Sequence, residues 1–131
     1  MKIFVAFKFK EDYSDKTFIE SVCDELEKTG LETVVMVRNF EKWGAVVFTP
    51  EELMRLTFEA INACDMHVVE FSEKGVGLGI EAGYAYAKGK PIIIIAREGS
   101  EISTTMRGVA KQVLFYKEVS EISGLFKHLK M

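Results

Sequence analysis

The sequence predicts a single α/β domain built on a doubly wound, flavodoxin- or Rossmann-like sheet of five parallel strands. Three observations predict it. Short apolar runs alternate with segments of helical period, the order that produces a parallel sheet covered on both faces. Ile92, Ile93, Ile94 and Ile95 are consecutive, as expected of a strand buried on both sides. The length, 131 residues with 48% apolar, suits one domain with its own core.

Residues 3–7 form a continuous apolar run and read as the first strand. Phe18, Val22 and Leu26 recur at helical spacing, with Glu20, Asp24 and Glu27 on other faces, which predicts a helix over 15–29. Gly30 is its stop. The second strand is expected over 33–37, and 38–49 is irregular. Thr49, Pro50 and Glu52 form a helix start, with a capping threonine, a proline at the first helical position and a capping-box glutamate. That helix should run to about Ala63. The third strand is expected over 66–71, and a helix of small residues over 79–88, ended by Gly89, Lys90 and Pro91. The fourth strand covers 92–96, a short fifth 113–116, and a closing helix 120–130.

Composition excludes several classes. The formal net charge is −3, which argues against nucleic acid as the main partner, because phosphate backbones select basic surfaces. Cys23 and Cys64 form no Cys-x-x-Cys pair, and His67 and His128 lie far apart. Neither a disulfide framework nor a metal site is expected, and no cofactor is implied. The apolar start runs into charge at Lys8, too soon for a signal-peptide core. No stretch approaches membrane-spanning length. A cytoplasmic protein that engages no membrane is the expectation.

Ligands of such sheets bind beyond the carboxyl ends of the strands. The loops at that edge follow Phe7, Val37, Phe71 and Ala96, which makes Phe7, Lys8 and Ser72 candidate contacts. After the third strand come Gly75, Gly77 and Gly79. Glycines let backbone approach a ligand, and the following helix offers unpaired N–H groups to an anion. The spacing is neither a Walker A loop nor the dinucleotide fingerprint, and a tight turn alone would also use such glycines. Glu81 falls in the first turn of the predicted helix, where the helix N-terminus would stabilise its anion. A carboxylate nucleophile needs that state. Glu70, at the end of the third strand, could face the same pocket and hold a proton if it met Glu81. Asp65 precedes that strand and belongs to the opposite edge. Trp43, Val46, Val47 and Phe48 form an apolar patch that could stack on a base, cover a pocket or pack between subunits. Met54 and Phe58 lie off the Leu53, Ala60, Ile61 stripe, which hints at a homodimer.

The stretch from Cys64 to Ala110 resembles the nucleoside 2-deoxyribosyltransferase family. The resemblance is carried by Val69-Glu70-Phe71-Ser72, the glycine segment, Glu81-Ala82-Gly83-Tyr84-Ala85, Gly89-Lys90-Pro91 and the isoleucine strand. Ser103-Thr104-Thr105-Met106-Arg107-Gly108 is similar to its 2′-deoxynucleoside 5′-monophosphate N-glycosidase branch. The resemblance implies that Glu81 attacks C1′ of a nucleoside or nucleotide as the base departs, and that water or another base releases the sugar. It also implies that Ser103 and Arg107 hold a 5′-phosphate, across a dimer interface in one arrangement. Two positions depart from the family pattern. The first strand lacks the usual Gly-Ser turn and nearby tyrosine, and Thr57 stands where an aspartate handles the leaving base. Two other functions therefore stay open. One is a nucleotide-binding domain without turnover. The other is a domain similar to the TIR class that cleaves a nicotinamide dinucleotide with a helix glutamate.

Overall fold

The computed structural model describes residues 1–129. Five parallel strands, β1 (Lys2–Phe7), β2 (Glu32–Val34), β3 (Met66–Glu70), β4 (Ile92–Arg97) and β5 (Gln112–Tyr116), form one sheet in the order β2-β1-β3-β4-β5. This is the predicted doubly wound architecture, with β1, β3 and β4 inside and β2 and β5 at the edges. The order reverses between β1 and β3, where such sheets open a crevice. In register, Ala6 pairs with Val69 and Val69 with Ile94.

Alternation along the strands divides the core in two. Phe4, Ala6, Val69, Ile92 and Ile94 face α2 (Pro50–Ala63), α3 (Val76–Ala87) and α4 (Thr104–Val109). Ile3, Val5, Val68, Ile93 and Ile95 face α1 (Lys16–Glu27) and α5 (Ile122–Lys127). The isoleucine run therefore fills both layers. The start of α2 is as the sequence requires: Thr49 Oγ1 accepts from Glu52 N, and Glu52 returns a carboxylate to Thr49 N.

Three boundaries differ from expectation. β2 stops at Val34, and Met36–Phe40 forms a π-helical turn. The side chain of Asn39 takes the N–H of Val35 at 2.9 Å, a local bond that competes with the strand ladder. Val35, Met36 and Val37 are buried all the same, so their sequence mimics a strand. Helix α3 begins at Val76, three residues before the expected start, because Leu78, Ala82 and Ala85 form a buried stripe at helical spacing. That stripe outweighs the low helix propensity of Gly77 and Gly79. At the C-terminus a 3-10 turn, Val119–Glu121, precedes α5. The expected helix end at Lys130 lies outside the described residues.

Candidate active site

The sheet crest between β1 and β3 opens into a cleft of about 370 Å³ on the α2–α3 face, within the size range of small-molecule sites. Phe7 and Lys8 supply one wall from the end of β1. Gly75, Gly77 and Glu81 line it from the start of α3, and Leu53, Met54 and Thr57 from α2. Val35, Met36, Val37 and Glu41, from the segment after β2, close the remaining side. The lining is mostly apolar. Its charged groups are Lys8, Glu41 and Glu81.

Glu81 sits in the second turn of α3, not the first. The stabilisation of an anion by a helix N-terminus fades within one turn. The expected anionic bias is therefore absent, and burial instead pushes the carboxyl up to about 7. Among the described residues none hydrogen-bonds or ion-pairs with it. Helical side chains lean toward the N-terminus over the residue four before, which here is Gly77. A Cβ on Gly77 would meet nothing within 4 Å, so the missing side chain leaves open space at this part of the cleft lining. Gly77 and Gly79 are helical residues, and the glycine segment is a helix start, not a free turn. Gly75 precedes the helix with φ −160°, and a Cβ there would touch Lys8 at an ordinary 3.5 Å.

Glu70 does not meet Glu81. Its position in β3 places it with Met66 and Val68 on the opposite face of the sheet. It is 5% exposed and fully engaged. It accepts from Ser72 N at 3.0 Å, from Ser72 Oγ at 2.7 Å and from Tyr116 Oη. Ser72 in turn accepts from Arg97 N at 2.9 Å. Glu70 and Ser72 thus line a different, polar cleft shared with Arg97 and Asp15. The expected carboxyl pair of Glu70 and Glu81 is separated by the sheet itself.

A second and more open cleft adjoins the first through Lys8, Gly75 and Val76. Lys74, Gly79, Ser103 and Thr105 line it. Ser103 caps α4, accepting from Met106 N at 3.3 Å. Arg107 is not among its lining residues. It is exposed, and its Nε donates to the Ile102 carbonyl at 3.2 Å. The cations near the hydroxyls are Lys8 and Lys74. Thr57 is 2% exposed and donates its hydroxyl to the Leu53 carbonyl at 2.7 Å. Asp65 accepts from Lys2 N at the far edge of the sheet, as expected.

Other candidates have roles within the chain. Trp43 packs against the α1-side core beneath the Lys16 ammonium. Met54 lines the Glu81 cleft, and Phe58 stacks on Tyr84 at 4.3 Å. Glu41 escaped the sequence reading because it lies in an irregular segment without periodicity. Its one signal is a place just after the second apolar run, at the ligand edge. Among the described residues no cluster of three His, Cys, Asp or Glu side chains could hold a metal ion, and no helix is long and apolar enough to cross a membrane.

Fold and cleft together define a doubly wound α/β domain with a cleft of small-molecule size at its switch point and a desolvated carboxyl in its lining. No protein-family model matches the chain. A Thermofilum pendens protein provisionally named 2′-deoxynucleoside 5′-phosphate N-hydrolase 1 is 28% identical over 129 residues, covering 92% of this chain and 89% of that one. The solution structure of BlsM is 27% identical with a TM-score of 0.71, covering 94% and 85% of the two chains. The CMP N-glycosidase BcmB of Clostridium botulinum is 23% identical with a TM-score of 0.72, over 98% of this chain and all of that one; it matches in fold. In sequence and fold the chain is similar to members of the nucleoside 2′-deoxyribosyltransferase/N-glycosidase superfamily.

Proposed function

We propose that the protein cleaves the N-glycosidic bond of a nucleoside or nucleotide, with Glu81 as the covalent nucleophile. The observation that carries this reading is Glu81 itself, a carboxyl without a partner among the described residues, lining a cleft of about 370 Å³ with Gly77. The relatives' names support the bond type. The adjoining cleft supports a substrate with an anionic end, since Lys8, Lys74, Ser103 and Thr105 offer two ammonium groups and two hydroxyls.

The chemistry follows from the environment. A carboxylate stripped of water is poorly stabilised by its surroundings and is stabilised instead by the positive character that develops at C1′. Attack by Glu81 gives a sugar ester as the base departs, and water or a second base releases it. The apolar walls formed by Phe7, Met36, Leu53 and Met54 take the base and exclude water. Because the free carboxyl titrates near 7, the pH profile of kcat/KM bends at that value. The test is trapping with 2′-deoxy-2′-fluoro nucleotides, followed by peptide mass spectrometry. One adduct, on Glu81, is expected. An adduct on another residue would overturn the assignment, and tight nucleotide binding without release of any base would favour a binding domain.

A further inference from the structure

We propose that Glu41 is the base-side acid of this cleft, supplying the proton on which the leaving base departs. This rests on the N-glycosidic reading above, and it answers what replaces an acid where Thr57 stands.

The first support is position. Along the sheet edge the polar cleft with Lys74, Ser103 and Thr105 lies toward β4, while Glu41 follows β2 on the far side of β1. Glu81 lines the cleft between these ends. A nucleotide laid with its anionic end among the lysines and its C1′ at Glu81 carries its base toward Glu41. The neighbours there are Met36, Leu53 and Met54, apolar surfaces suited to a base, and Thr57, whose hydroxyl is committed to Leu53. Among the described residues Glu41 is the one acid besides Glu81 lining this cleft.

The second support is the backbone. Glu41 closes the π-helical turn, donating its N–H to the Met36 carbonyl at 3.0 Å. π-Helical turns occur frequently at functional sites. The three residues that follow are all left-handed: Lys42 at φ 49°, Trp43 at 55° and Gly44 at 93°. Non-glycine residues seldom adopt that conformation, and it persists where the surroundings enforce it. Here they do. Trp43 is held beneath Lys16, and a Cβ on Gly44 would lie 2.5 Å from Tyr13 Oη. The chain departs from regular structure on both sides of one cleft-lining carboxyl. Among the described residues none hydrogen-bonds or ion-pairs with that carboxyl, and desolvation raises its pKa.

The step balances without another reagent. The Glu81 carboxylate forms a bond to C1′ while the electron pair of the C1′–N bond moves onto the base. The Glu41 carboxyl passes its proton to a base nitrogen, and the base leaves neutral. In the second half water attacks C1′, Glu41 takes its proton, and Glu81 departs as the carboxylate. Burial acts more strongly on Glu81 than on Glu41 in the free cleft. A bound nucleotide reverses that order, because positive character at C1′ favours the Glu81 anion and the base shuts water away from Glu41.

The test compares wild type with Glu41→Gln on the four common 2′-deoxynucleoside 5′-monophosphates and on the N7-methyl derivative of the guanine nucleotide, whose cationic base leaves without a proton. General acid catalysis contributes roughly 100- to 10,000-fold. The substitution should cost that much on the ordinary nucleotides and less than about tenfold on the methylated one. An equal loss on both would make Glu41 a shaping residue and overturn the inference. So would a wild type that cleaves the methylated nucleotide alone. If the cleft rejects the methylated base, the pH profile decides: wild type should slow on the alkaline side and Glu41→Gln should not, whereas identical profiles refute the role. A wild type that releases no base from any of the five overturns the enzymatic reading itself.

Discussion

Replacing Glu81 by glutamine should make the protein more stable at alkaline pH while removing its activity. In the folded chain burial holds this carboxyl at about 7, against 4.5 for an unperturbed glutamate. Between those two values the folded state binds more protons than the unfolded state. Stability therefore falls as pH rises from about 4.5 to 7, and stays lowered above 7. One pKa unit corresponds to about 1.36 kcal/mol, so the cost of ionising Glu81 in its cleft is on the order of 3 kcal/mol. Glutamine has the same shape without the charge, and its stability does not carry this pH dependence. For a domain of this size about 3 kcal/mol corresponds to a Tm difference on the order of 10 °C.

The assay is thermal and denaturant unfolding of wild type and Glu81→Gln at pH 5 and pH 8.5. The two proteins should be close at pH 5 and diverge at pH 8.5, with the variant higher. Base release should meanwhile fall on the order of a thousandfold or more, with little change in nucleotide affinity, as for a group acting in the transition state. Equal stability differences at both pH values would show that Glu81 is not desolvated. A variant that keeps wild-type turnover would remove Glu81 from the chemistry. Stability held below its maximum at one side chain is what a strained functional group predicts.

Gly77→Val should fold normally, because its Cβ enters open space, yet lose nucleotide binding because the side chain projects from the cleft lining; calorimetric titration showing wild-type affinity would make Gly77 an ordinary helix residue. His67 gives a pH dependence of opposite sign to Glu81. It is fully buried against Phe4, neither ring nitrogen has a hydrogen-bond partner among the described residues, and burial holds its pKa at about 4. Its folded pKa is depressed, so the unfolded state binds the extra proton, and stability is lost as pH falls from about 6.5 to 4, by on the order of 3 kcal/mol. His67→Phe should flatten that acid limb in unfolding experiments run from pH 7 to 4, and an unchanged limb would assign the loss to other groups.

Much of the fold was legible because its signals are local and periodic. The capping box at Thr49 and Glu52 and the isoleucine strand are each written within a few residues. The crest as the ligand edge followed from topology. The site was legible less completely, for reasons that differ by residue. Glu70 stood near the right edge, but alternation along β3 tells only that Glu70 and Val69 point opposite ways, not which face α3 covers; the crossover settles that, and Glu70 went to Tyr116. The shift of α3 by one turn came from weighing glycines as turn formers when Leu78, Ala82 and Ala85 had already set a helical period. That turn changes the electrostatics of Glu81 from a dipole-stabilised anion to a desolvated carboxyl titrating near neutrality. Arg107 carries a phosphate-binding chemistry but spends its Nε on the Ile102 carbonyl, while Lys8 and Lys74 line the cleft instead. Glu41 could not be found by period at all, since its place depends on Asn39 diverting a strand and on three left-handed residues. The regular elements of this sequence thus fix where the cleft lies, and the irregular segment after β2 brings Glu41 to its lining.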